Sequence, residues 1–125
     1  MRKVLQITIL LLCLACVNAS CNKEKTKNEQ IIGKWECVIA TSPSEPETVE
    51  HNVGGRWEFD EKTVSIRDGY NQDLGEYSYS YNENKHILVI GEDDRHSFSV
   101  TKLTKDVLIL DGITVDTHYE FNRFE

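Results

Sequence analysis

Ile31-Ile32-Gly33-Lys34-Trp35-Glu36-Cys37 is the stretch that decides how this chain is read. It opens the first extended segment after a polar N-terminal region. Its Gly-x-Trp start has a counterpart at the far end, where Arg123 falls on the apolar face of the last alternating segment. An aromatic at the start of the first strand, matched in parity by a basic residue near the end of the last, suggests that the two close one barrel.

Working outward from that stretch, the pattern is period two with turn residues at short intervals. In 34–41, Trp35, Cys37 and Ile39 share a face. Residues 42–53 read as a long loop, broken by Pro43 and Pro46 and made acidic by Glu45, Glu47 and Glu50; a long loop among short connections is a candidate lid. Gly54-Gly55 reopens extended structure, with Trp57 and Phe59 on one face. Val64 and Ile66 point inward from 63–67. Asp68-Gly69 is a turn, and 70–75 is irregular. Tyr77, Tyr79 and Tyr81 then alternate with serines. Residues 87–90 are a short apolar strand, 95–103 place Phe98 and Val100 inward, and 107–110 are apolar again. Asp111-Gly112 is a hairpin signal, after which Ile113, Val115, Thr117, Tyr119, Phe121 and Arg123 share a face.

Eight strands with no connection after the first long enough for a crossover helix predict an all-β, eight-stranded antiparallel up-and-down barrel. Closure removes the exposed edges that a meander would otherwise leave. A barrel of this size has an interior for side chains or one small ligand. An open sandwich of the same strands is the alternative.

The 125 residues divide into three parts. Residues 1–20 read as a secretory signal, with Arg2 and Lys3 ahead of an apolar run too short to span a bilayer comfortably. Ala19-Ser20-Cys21 resembles a bacterial lipoprotein processing site, which makes Cys21 the expected lipidation site and anchor to a membrane. Cys16 is a second candidate, and Val17-Asn18-Ala19 offers an ordinary cleavage that would leave the protein soluble. Residues 21–30 are polar and Lys-rich, the composition of a flexible tether, and 31–125 form the barrel domain. Asn22 is not the Asp of an inner-membrane retention signal, and Lys23-Glu24 resembles the export signal of surface-exposed lipoproteins of Bacteroidota, so the outer membrane is the expected location.

Removing Arg2 and Lys3 leaves 12 basic against 21 acidic residues, a balance that argues against nucleic acid and anionic membrane surfaces as partners. After processing, Cys37 is a free, buried thiol if Cys21 is acylated; otherwise the two could close a loop worth about 3 kcal/mol.

Gly33-x-Trp35, the inward Arg123 and the eight-strand meander resemble the lipocalin and calycin superfamily. Ile32-Gly33-Lys34-Trp35, Tyr77-Ser78-Tyr79, 100–104 and Tyr119-Glu120-Phe121-Asn122-Arg123 are similar to the lipocalin-like domains of exported Bacteroidota lipoproteins. The resemblance covers 31–125 and implies that Gly33, Trp35 and Arg123 close one end of the barrel, with the arginine stacked on the indole. It also implies a non-enzymatic binder of a small, partly apolar molecule under the loop 42–53.

For such a ligand, Tyr77, Tyr79, Tyr81 and Trp57 are the candidate contacts, since a tyrosine supplies an apolar body and a polar tip. The same tyrosines also suit a core. A filled barrel presenting acidic loops to a protein or envelope partner is the second function expected. Glu92, Asp93, Asp94 and His96 form the densest acidic cluster but lack a calcium-loop pattern and read as a solvated turn. His51, His86, His96 and His118 show no zinc spacing. No nucleophile or phosphate-loop motif is present, so no catalytic residue, metal or cofactor is expected.

Overall fold

Every strand of the meander pairs with its successor, and the last returns to the first. The computed structural model describes residues 26–92 and 94–124. The expected signal segment, Cys16, Cys21 and the tether as far as residue 25 lie outside the described residues, as does Asp93. Eight strands follow in order: β1 (Gly33–Thr41), β2 (Arg56–Phe59), β3 (Thr63–Arg67), β4 (Asp73–Asn82), β5 (Ile87–Ile90), β6 (Ser97–Leu103), β7 (Val107–Gly112) and β8 (His118–Arg123). All pairs are antiparallel, and β1 pairs with both β2 and β8, so the sheet is a closed barrel. The expectation of an eight-stranded up-and-down barrel is met, and the open sandwich is excluded.

The expected face parity holds with two local exceptions, each caused by a bulge. In β1 the register shifts between Cys37 and Ile39. Cys37 keeps both main-chain bonds to the other neighbour, accepting from Gly54 and donating to the Gly55 carbonyl at 2.8 Å each. The extra residue turns Ile39 outward, where it is 41% exposed, and Ala40 inward against the core. Thr101 in β6 plays the same part between Val100 and Lys102. Phe98, Val100 and Leu103 are therefore all buried although their numbering breaks alternation.

Several boundaries differ from the sequence reading: β4 already starts at Asp73, inside the stretch 70–75 expected as irregular, and residues 95–96, expected to open the sixth strand, belong to a 3-10 turn (Asp94–His96). Residues 27–30, expected as tether, form a helical turn, α1 (Lys27–Gln30). The Thr26 hydroxyl accepts from Glu29 N–H at 3.2 Å, and the Glu29 carboxylate accepts from Thr26 N–H at 3.0 Å, a reciprocal capping box. Inside the expected loop 42–53 lies α2 (Pro46–Glu50), started by a proline in its first turn and burying Val49. The last strand begins at His118, not Ile113, because Asp111-Gly112 continues β7: Asp111 pairs with His118, and Gly112 N–H donates to the Thr117 carbonyl at 2.7 Å. Ile113 and Val115 are consequently 54% and 37% exposed in the connecting loop.

One end of the barrel is shut by α1 and Arg123. The guanidinium lies 4.1 Å from the Trp35 ring centroid, and the two residues are cross-strand partners. Its N–H groups donate to three carbonyls: Ile32 at 2.8 Å, Gln30 at 2.7 Å and Lys105 at 2.7 Å. The Trp35 indole N–H donates to the Ile31 carbonyl at 2.9 Å. Gly33 has φ +137°, and a Cβ there would stand 2.3 Å from Arg123 Nη1, so both its conformation and its lack of a side chain are needed. Trp35, Phe59, Phe121, Leu88 and Leu108 above this closure are all fully buried.

Replacing Arg123 with Ala removes the stack and strands three carbonyls, and urea unfolding should report a loss of about 1–3 kcal/mol. Gly33→Ala should destabilise comparably, and stability unchanged by both substitutions would refute the closure just described. The Cys37 thiol is pushed up to about 12, chiefly by burial. It should therefore resist a thiol-specific reagent at neutral pH in the folded protein and react fully once urea unfolds the barrel.

Candidate functional site

At the end opposite the Trp35–Arg123 closure, β1, β3, β5 and β7 finish. A cavity of about 390 Å³ opens there. Its floor is aromatic: Trp57 from β2, Phe98 from β6 and Tyr119 from β8. Trp57 packs at 5.3 Å from Tyr119 and 4.8 Å from Phe121 beneath it, so the floor is the upper surface of the core. Ile66, Ile90 and Leu74 supply aliphatic wall. Apolar lining with a few polar groups at the rim is the usual construction of a small-molecule site.

The polar groups arrive from the connections. Asn52, just after α2, donates from Nδ2 to the Tyr119 hydroxyl at 3.2 Å. Burial raises the Tyr119 phenol to about 12, so it stays protonated across physiological pH and can donate to an acceptor in the cavity. Glu92, Arg95 and His96 line the opposite rim. The 3-10 turn carrying the last two (Asp94–His96) is held by the β7–β8 loop, whose Thr114 hydroxyl donates to the Arg95 carbonyl at 2.6 Å.

The loop 42–53 is fastened on both sides of the mouth. At its start, Asp116 accepts from the Ser42 and Ser44 hydroxyls at 2.6 and 2.7 Å and from Ser44 N–H at 2.9 Å. These bonds hold the Asp116 carboxyl below its ordinary range, Ser42 being the largest cause. At its end, the His51 carbonyl accepts from Gly69 N–H at 2.7 Å, and the His51 ring meets Tyr70 edge-on at 5.2 Å. A Cβ on Gly69 would stand 2.0 Å from the Val53 carbonyl oxygen, so this close approach of two loops depends on glycine.

The four residues expected to contact a ligand do not form one group. Trp57 and Tyr77 line the cavity. Tyr77 folds back over Gly75, and its hydroxyl donates to the Leu74 carbonyl at 2.6 Å. Tyr79, two residues further from the mouth, packs edge-on to Phe59 at 5.0 Å and donates to the Asp60 carbonyl at 2.6 Å. Tyr81 lies lower still, beside Lys27 of α1. The strand runs along the barrel axis, so a shared face is not a shared depth. Tyr119 was legible as inward by parity, whereas Asn52, Arg95 and His96 sit in connections where no periodicity marks them.

Outside the cavity, His118 is bracketed by carboxylates, with Nδ1 2.5 Å from Asp111 Oδ1 and Nε2 2.8 Å from Glu120 Oε2. Thr101 on β6 faces the same Asp111 through a bond of 3.3 Å. Two acceptors on the two ring nitrogens require both to carry protons, and the bonds to Glu120 and then Asp111 raise the His118 pKa. Its contribution to stability is complete below 6.5, the ordinary value, and is lost as pH rises through the higher folded-state value. Thermal melts of the wild type should therefore show a fall across that interval that His118→Gln lacks; parallel profiles would refute it. Among the described residues, no group of three or more His, Cys, Asp or Glu is placed to hold a metal ion.

No protein-family model matches this chain, and no curated protein matches it in sequence. Among solved structures it is similar to a lipocalin-like protein from Bacteroides uniformis, with 14% identity, a TM-score of 0.55, and coverage of 76% of this chain and 99% of that one. At this identity the likeness establishes the fold, which is lipocalin-like.

Proposed function

We propose that this lipocalin-like barrel is a binding protein, not an enzyme, and that it holds a small, partly apolar molecule in the cavity opposite the Trp35–Arg123 closure. The cavity carries the reading. Its volume of about 390 Å³ lies within the ~300–1,000 Å³ of small-molecule sites, near the lower end. The apolar part of the ligand rests on Trp57, Phe98 and Tyr119, and its polar part meets the Asn52–Tyr119 pair or the charged rim at Glu92 and Arg95. The N-terminal segment supports the remainder of the reading: a signal over 1–20 and acylation at Cys21 would carry the barrel to the outer membrane as an anchored, surface-exposed lipoprotein.

Native mass spectrometry of the protein gently purified from its own cells should show a co-purifying small molecule, and the intact mass should show acylation at Cys21. Leu74 is 40% exposed and lines the cavity, so Leu74→Trp fills the site without disturbing the core. It should weaken binding at least about tenfold, a loss of ~1.4 kcal/mol, while the melting temperature holds. Tyr119→Phe, which removes one neutral hydrogen bond, should cost about 0.5–1.5 kcal/mol of affinity. A barrel that acts only by presenting its acidic loops to a partner predicts no bound molecule and no effect of Leu74→Trp on the partner's affinity.

A further inference from the structure

The two ends of the barrel differ in charge as well as in shape. The described segments forming the mouth, 42–55, 68–72, 91–92, 94–96 and 113–117, carry seven acidic residues and one arginine. Those forming the closed end, 26–32, 60–62, 83–86 and 104–106, carry five acidic side chains and four lysines. The mouth is strongly negative and the closed end nearly neutral. The chain also enters at the closed end: the Lys27 ammonium donates to the Leu103 carbonyl at 2.7 Å, and Arg123 holds the Gln30 carbonyl.

We infer that the barrel stands closed end down on the membrane that anchors it, so that its site opens away from that membrane and loads a small water-borne molecule, not a lipid drawn from the bilayer beneath. The inference rests on the acylation of Cys21 proposed above. Whatever path the connecting residues take, the six peptide steps from Cys21 to Lys27 span at most about 20 Å. The ten residues of β4 rise ~3.3 Å each, and tilted by roughly 40° they make the wall about 25 Å tall. A mouth-down orientation would ask the tether to run back along the whole wall, which exceeds its reach. Charge acts in the same direction, because an anionic bilayer surface repels the acidic loops of the mouth far more than the closed end. The small cavity volume, near the bottom of the ligand range, agrees with a compact water-borne molecule.

The test uses the acylated protein in vesicles of phosphatidylethanolamine and phosphatidylglycerol containing a nitroxide-labelled lipid. A fluorescent thiol probe is placed at the closed end through Lys105→Cys or at the mouth through Val115→Cys; the buried Cys37 does not compete for it. Quenching by the nitroxide lipid should be several-fold stronger at position 105 than at 115. Equal quenching, or stronger quenching at 115, would overturn the orientation. If neither probe is quenched and the protein fails to float with the vesicles, the anchor reading fails and the inference falls with it. Ligand binding plays no part in this measurement, so loss of the binding reading would register separately.

Discussion

The barrel depends on one guanidinium. Arg123 is placed by β8 directly across from Trp35, and its planar fork satisfies the carbonyls of Gln30 and Ile32 in the entering chain and of Lys105 in the β6–β7 turn while its face lies on the indole. A lysine has one compact ammonium and no flat face, so it cannot hold three carbonyls and a ring together. The group joins the first strand, the last strand, α1 and a turn between them, and Gly33 exists in its present form to leave it room.

Opposite that end lies the cavity with the aromatic floor. The core rises from Trp35 through Phe59, Phe121 and Leu110 and stops at the ring faces of Trp57, Phe98 and Tyr119. Above them the strands give way to connections, and these contribute both the hydrogen-bonding groups and the charge. The loop 42–53, pinned by Asp116 on one side and Gly69 on the other, forms part of the cavity border through Asn52. The site therefore combines a rigid apolar floor, built by sheet parity, with a polar rim that loops hold in place.

Alternation made most of the architecture readable, since an apolar residue at every second position can face only one way on a strand. The strand count and the shared parity of Trp35 and Arg123 follow from it; order came from the short connections, closure from the avoidance of open edges, and the stack of Arg123 on Trp35 from the family resemblance. Alternation failed where a single residue changes the count: the bulges at Val38 and Thr101 invert parity, and neither has a glycine or proline to mark it. The start of β8 was misplaced because Ile113 and Val115 continue the alternation beyond the ladder, while the tie of Asp116 to Ser42 and Ser44 draws that loop away. Thr26-Lys27-Asn28-Glu29 did carry a capping-box signal for α1, masked by the polar composition around it. The cavity was only half visible, for Trp57 and Tyr119 lie on strands but Asn52, Arg95 and His96 are brought together by loop geometry that no local pattern encodes.

The pairing of the first strand with the last also governs when the fold can exist. Six of the seven contacts between consecutive strands form across short connections and β1–β2 across residues 42–55, but the β1–β8 seam joins residues as far apart as Trp35 and Arg123, so its entropy of closure is larger than that of any of these. Until β8 has docked on β1, the chain is an open sheet whose two unpaired edges are free to recruit other strands. Docking of β8 on β1 is thus the step that converts an aggregation-prone meander into a barrel. An intact β8 is accordingly a determinant of solubility during folding, quite apart from the stability of the finished fold.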